Sequence, residues 1–420
     1  MKKIVFLFVF ISGNLLAQNE VVTLNDCYEN MLVNYPIADQ TELYKQSNQL
    51  SLKNHQASWL PSANLNARAT YQSDAIEVNI SAMGNDFGFA AEKDQYQASI
   101  DINQLIYDWG RIKSAKQLSN AELKVNEQNT LVELNKIKEQ VNLFYFSILI
   151  LQRNEELMNT MLVDIENREK TVESAVENGV RLKSDLNILK AEKLKVKQSI
   201  TQIMNQRLAA IQILAEITGM NLSSDLSLEI PNYEINNDNK LFRPEHQLFD
   251  YRTEQVGVSS KLVAKQSAPM FYSFAQVGYG KPGLNMTNTE FDSFYMVGVG
   301  LSWNFWDWNQ TKRKKEITLL NKDFINTQRK TFDKHLAVAL DNELANIATL
   351  QSALVSDIEI IKLREEVTKS ARSKLDNGVI TSTDYITELN AETQAKISYE
   401  THKIQMIQSK VNYLYIKGEL

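Results

Sequence analysis

Cysteine is almost absent: Cys27 stands alone in 420 residues. That excludes an intramolecular disulfide and any zinc site built on cysteines. The four histidines (His55, His246, His335 and His402) are scattered, with no pair at ligand spacing, so no metal is expected. Glycine (14) and proline (6) are scarce, which argues against a loop-rich fold. Acidic residues outnumber basic ones, 51 to 45, which speaks against nucleic acid as a partner. Long hydrophobic runs are missing from the body of the chain. The best is Leu143 to Leu151, about half the length a spanning helix needs, flanked by Asn142 and Gln152-Arg153. It reads as a buried girdle on a long helix rather than a membrane span. No Ser/His/Asp grouping and no Walker pattern occur. Residues 278–283 have the formal G-x-G-x-x-G spacing. A dinucleotide site needs that motif between a buried strand and a helix start, whereas Pro282 and a polar loop follow here. Neither an enzyme nor a cofactor is expected.

The N-terminus is read as a signal peptide. Lys2 and Lys3 form its basic region, Ile4 to Ile11 its apolar core, and Leu15-Leu16-Ala17 the cleavage site. Its removal takes away two lysines and no acid, moving the net charge from −6 to −8. An exported protein is therefore expected.

The chain contains itself twice. Pro36 matches Pro244, Pro61 matches Pro269 and Tyr71 matches Tyr279, all offset by 208. Tyr107-Asp108-Trp109 matches Trp306-Asp307-Trp308, Asn178-Gly179-Val180 matches Asn377-Gly378-Val379, Asp185 matches Asp384 and Gly219 matches Gly418, all offset by 199. Two constant offsets indicate an internal tandem repeat. The first copy covers 18–221, with a β-hairpin at 62–107 and a helical hairpin at 110–219. An Asn-rich linker follows at 222–240. The second copy covers 241–420, with a β-hairpin at 270–306 and a helical hairpin at 309–418.

Each copy opens with a helix, from Pro36 to Trp59 in the first, because proline suits the first helical turn. Alternation follows. Asn64, Asn66, Arg68 and Thr70 are polar, while Leu65, Ala67, Ala69 and Tyr71 are not. After a polar loop at 72–94, Gln95 to Asn103 alternates again, as does Tyr295 to Asn304 in the second copy. Runs of about ten alternating residues match membrane β-strands. Ala98, Ile100, Val299 and Leu301 are expected on the lipid face. Asn66, Arg68, Gln97, Ser99, Asp101 and Ser302 are expected on the lumen face. Tyr107, Trp109, Trp303, Trp306 and Trp308 cluster where strands end, as an interfacial aromatic belt does. A half-buried soluble sheet is the plainer reading of one hairpin alone.

Then the pattern turns helical. Trp109 to Gly179 and Trp308 to Gly378 are both 70 residues, and Gly179 to Gly219 and Gly378 to Gly418 are both 40. As helix, these arms are about 105 Å and about 60 Å long. The first helix of each copy, about 36 Å, nearly fills the difference. The fold expected is mainly α with membrane β: long antiparallel helical hairpins, and four strands per chain. Asn178-Gly179 and Asn377-Gly378 are the hairpin tips, where glycine lets the chain leave a helix left-handed. Asp185 and Asp384 then sit at helix starts, where a carboxylate is favoured anyway.

Four strands cannot close, and an open edge in lipid leaves backbone groups unsatisfied. The chain must then share a barrel, with two chains giving eight strands and three giving twelve. The periodicity leaves that choice open. A secreted coiled-coil scaffold or adhesin without a pore is the alternative, and the alternating strands argue against it.

The duplicated helix, β-hairpin and helical hairpin, Arg243-Pro244-Glu245 at the second start and the two Asn-Gly-Val…Asp tips resemble the TolC-type outer-membrane efflux protein family. The resemblance covers nearly the whole mature chain. It implies a homotrimer, a twelve-stranded barrel among outer-membrane lipid, and a periplasmic α-barrel tunnel. It also implies docking, at tips Asn178, Gly179, Val180, Asn377, Gly378 and Val379, to a periplasmic adaptor joined to an inner-membrane transporter. An iris at the tunnel mouth is implied at Asn178 to Asp185 and Asn377 to Asp384. The expectation for that gate is that Arg181 or Lys183 of the first tip pairs with Asp384 of the second. The alternative is that Asp384 only caps its helix. The chain departs from some relatives at Thr387, where they carry a second acid one turn after the Asp384 position.

Overall fold

A computed structural model of the chain describes residues 21–75, 77–82, 85–90, 92–235 and 241–420. The expected signal peptide, 1–17, lies outside the described residues, as do residues 236–240 of the linker. The elements in order are α1 (Leu24–Asn34), a 3-10 turn (Pro36–Asp39), α2 (Gln40–Ala57), β1 (Ser62–Tyr71), β2 (Glu77–Ala82), β3 (Asn85–Ala90), β4 (Asp94–Tyr107), α3 (Arg111–Glu177) and α4 (Lys183–Thr218). Then follow α5 (Pro244–Gln266), β5 (Met270–Lys281), β6 (Asp292–Ser302), α6 (Gln310–Asp376) and α7 (Ser382–Lys417). The long helices repeat in length, 67 residues for α3 and α6 and 36 for α4 and α7.

The described chain forms two compact units. One holds the described residues within 21–38, 131–244 and 333–420. Its core is built on α1, an element absent from the sequence expectation. Thr23 accepts from the Asp26 backbone N–H at 3.1 Å while Asp26 accepts from that of Thr23 at 2.9 Å, a reciprocal cap. Tyr35 ends α1 in extended geometry because the following Pro36 disfavours helix there. Pro36 accordingly opens a 3-10 turn, and the regular helix starts only at Gln40.

Leu24, Cys27, Tyr28 and Met31 of α1 pack against Tyr145, Phe146 and Ile148 of α3. Leu24, Met31, Phe146 and Ile148 each contribute roughly 1.5–3 kcal/mol on full burial. The Tyr145 hydroxyl lies 3.1 Å from the Val22 carbonyl and 2.7 Å from that of Glu229. A parallel bridge between Val22 and Leu228 holds the described part of the linker beside the start of the chain. The Leu143–Leu151 run is thus largely buried, although Leu143 itself is exposed. By length and composition alone, α6 contains a stretch apolar enough to cross a membrane. Its apolar residues are dispersed among polar ones rather than contiguous, and Val355, Ile358 and Leu363 are exposed along it.

The other unit holds Asp39–Thr130 and Glu245–Phe332. Its antiparallel sheet has the order β1-β4-β5-β6, so β1 and β6 are its edges. The register aligns Leu65, Ile100, Val277 and Tyr295 in one row and Asn64, Asp101, Gln276 and Met296 in the next. The loop expected at 72–94 is instead partly a second hairpin, β2 paired with β3. Its six-residue strands are too short for their alternation to stand out in the sequence. Where strands meet helices, both copies use aspartate. Asp108 accepts from the backbone N–H groups of Gly110 (2.8 Å) and Ile112 (2.5 Å), and Asp307 from that of Thr311 (2.8 Å). Trp109 (φ 55°) and Trp308 (φ 51°) make the same left-handed turn beside them.

Candidate functional site

The two tips close alike. Gly179 and Gly378 have φ of 72° and 78°, a conformation that strains any residue with a Cβ. Val180 donates to the Ala175 carbonyl (2.8 Å) and Val379 to that of Lys374 (2.9 Å), the long-range bond of a Schellman stop. Asn178 and Asn377 each donate a side-chain N–H to a carbonyl one turn back, Ser174 and Ser373, both at 2.8 Å. Val180 and Val379 stand out into solvent, 76% and 70% exposed.

The following helices start differently. α7 opens with a capping box: Asp384 donates its N–H to the Thr381 hydroxyl (3.3 Å) and accepts from the Thr381 N–H (3.0 Å) and hydroxyl (2.8 Å). The Thr381 side chain, then its backbone, hold the Asp384 carboxyl below its ordinary range. α4 has Leu182 at its N-cap and no side-chain bond there. Its matching acid, Asp185, is buried and turned toward the other tip, accepting from the Ser382 N–H at 3.3 Å.

Arg181 completes a clasp between the tips. It lies 3.7 Å from Asp185 and donates to the carbonyls of Ile380 (3.1 Å) and Leu375. Two further pairs, Arg168–Asp376 at 2.5 Å and Arg372–Asp164 at 2.8 Å, join α3 to α6 just behind. Within the chain, therefore, Arg181 meets Asp185 rather than Asp384, and Lys183 is exposed without an ion pair among the described residues. Asp384 lies exposed beside a groove of about 380 Å³ lined by Val367, Ala371, Lys374, Ile380 and Glu388.

On the sheet, Asn66, Arg68, Gln97 and Asp101 share one face, as the register requires. Asn66 and Gln276 both donate to Asp101, the latter at 2.6 Å, and Arg68 reaches Gln97 at 3.4 Å. Gln276 was not singled out in the sequence. Neither was the aromatic half of this face. The Phe294, Phe274 and Tyr272 rings lie across Gly278, Gly298 and Gly300, where an added Cβ would approach a ring atom to 2.4, 2.5 and 2.4 Å. Glycine at alternate positions in both strands was the available signal. The opposite face is apolar and open to solvent in the single chain: Leu65 is 77% exposed and Val299 79%.

The family model described as "Outer membrane efflux protein" matches residues 28–220. No curated protein matches the chain. Among solved structures, the Campylobacter jejuni CmeC outer membrane channel is 14% identical, with a TM-score of 0.68 over 94% of this chain and 85% of its own. The Vibrio cholerae outer membrane protein VceC is 15% identical, with a TM-score of 0.66 over 94% and 96%. The Neisseria gonorrhoeae MtrE outer membrane channel, in its open state, is 13% identical, with a TM-score of 0.66 over 94% and 88%. Residues 28–220 thus match the outer membrane efflux protein family model, and over nearly its whole length the chain has the fold of the TolC-type channels.

Proposed function

We propose that the chain is the passive exit duct of an efflux pump or type I secretion system. Three copies close one twelve-stranded barrel in the outer membrane, and their helical hairpins continue it as a periplasmic tunnel. The observation that carries this reading is the four-stranded sheet, apolar and exposed on one face, polar on much of the other, with β1 and β6 as its edges. In lipid those edges need partners, and four strands are too few to curl into a barrel. The family match and the channel fold support efflux as its use.

The tips are the docking points for a periplasmic adaptor that links the duct to an inner-membrane transporter. Exposed Val180, Leu182 and Val379 around the two sharp turns support a protein contact there. At the same end, Asp384 from three copies forms an acidic ring, a device that favours cations.

Membrane fractionation and planar-bilayer recording test the reading. The protein is expected in the outer-membrane fraction, and the purified oligomer is expected to give discrete, cation-favouring conductance steps. A water-soluble protein without channel activity would establish the pore-free coiled-coil scaffold instead.

A further inference from the structure

Where β6 runs into α6, the aromatic belt is followed by a basic cluster that neither the duct nor its docking uses. Trp303, Phe305, Trp306 and Trp308 are all exposed, the last two packed edge to face at 5.6 Å. Immediately after them, Lys312, Arg313, Lys314 and Lys315 fill the start of α6, and all four are exposed. None of the four has an ion pair among the described residues. The first turn of α6 contains no acid. A helix N-terminus carries partial positive charge, so cations there disfavour the helix. Four in succession, in a chain of net charge −6, need a reason from outside the helix. The first repeat has the same order in milder form. Tyr107 and Trp109 pack edge to face at 5.1 Å, and Arg111, Lys113 and Lys116 follow in α3, whose first turn is also free of acid.

Exposed tryptophan and tyrosine at strand ends sit at the headgroup level of a bilayer. Basic side chains a few residues further along reach the depth of the lipid phosphates. We propose that Lys312 to Lys315, with Arg111, Lys113 and Lys116, form a collar that binds anionic phospholipid headgroups in the leaflet on the helix side of the barrel. The proposal rests on the membrane-barrel reading above. Anionic lipid is favoured because a zwitterionic headgroup carries its own cation beside the phosphate. One basic residue near an anionic surface contributes about fivefold in affinity. Not every cation of the collar reaches lipid, so an overall preference of at least about fivefold is expected.

Four of the five tryptophans lie at this collar, which makes the protein its own reporter. The full-length mature protein is reconstituted in phosphatidylcholine vesicles that contain increasing fractions of brominated phosphatidylglycerol or of brominated phosphatidylcholine. The anionic lipid is expected to quench tryptophan at the lower fraction, by about fivefold. Raising NaCl to about 0.5 M should bring the two curves together, since exposed charges are then screened over a few ångströms. A variant with Lys312→Gln, Arg313→Gln, Lys314→Gln and Lys315→Gln should lose at least half of the preference. The control Lys322→Gln with Lys330→Gln, also exposed on α6, should keep it. Equal quenching in the wild type, or a preference that survives salt or the fourfold change, overturns the collar. If the fourfold variant fails to insert, the salt titration of the wild type decides alone. Absence of quenching by both lipids overturns the barrel reading and the collar with it.

Discussion

Asp185 and Asp384 occupy the same place in two copies of one motif and do different work. The difference begins at the residue just before the second helix of each hairpin. Thr381 offers Asp384 a hydroxyl and a backbone N–H, so that carboxylate is spent on its own helix start. Leu182 offers Asp185 no side-chain cap, and Arg181 and the Ser382 N–H draw it across to the other hairpin. Arg181 and Lys183 looked interchangeable in the sequence. Only Arg181 bridges to the carbonyls of Leu375 and Ile380, which a planar guanidinium with several donors can do at once. Arg181→Ala leaves buried Asp185 and two carbonyls short of a donor, at a local cost of about 1–3 kcal/mol. Faster amide exchange at residues 375–382 and a larger conductance are the expected outcomes. Lys183→Ala should match the wild type in both measurements. Equal behaviour of the two variants would remove the clasp from the account of the closed mouth.

At the scale of elements, the sheet depends on strict alternation. Asn64 and Leu65 are neighbours in sequence and face opposite sides of β1. Asn64 stands opposite Asp101, so Asn64→Arg gains an ion pair and should be tolerated, with a shift in conductance and ion selectivity. Leu65 stands opposite Ile100 on the apolar side. Leu65→Arg should cost about 2–4 kcal/mol near the midplane and lower the yield of inserted oligomer. Similar yields from both variants would mean that the faces are assigned wrongly. This alternation was legible because period two is printed in residues 64–71 and 95–103. The tips were legible because Asn-Gly-Val recurs at a fixed offset. The clasp was not, since Arg181 and its two carbonyl partners are 194 and 199 residues apart and nothing local specifies their meeting. α1 was missed for a similar reason. Its moderate apolar stripe gains meaning only against Tyr145 and Phe146 of α3 and Ile211 and Leu214 of α4, more than a hundred residues away.

At the scale of the whole molecule, the barrel proposed above raises the question of how many chains close it. Every pairing in the four-stranded sheet is antiparallel, so joining β6 of one chain to β1 of the next continues the pattern without a break only if β1 and β6 run in opposite directions. They do, because an even number of strands in the order β1-β4-β5-β6 alternates direction across the sheet. Any whole number of chains therefore satisfies the pairing rule, two with eight strands as well as three with twelve. Cysteine cross-linking reads that number directly. The native Cys27 does not interfere, because burial pushes its thiol up to about 12 and the thiolate is the reactive form. Ala67→Cys is combined in turn with Tyr295→Cys, Val297→Cys or Val299→Cys, so that one pair falls opposite across the new edge. At least one combination should yield a ladder on denaturing gels that ends at three chains. A ladder ending at two would make an eight-stranded barrel, and an absence of cross-links in all three, with the protein inserted, would mean that β1 and β6 are not the joined edges.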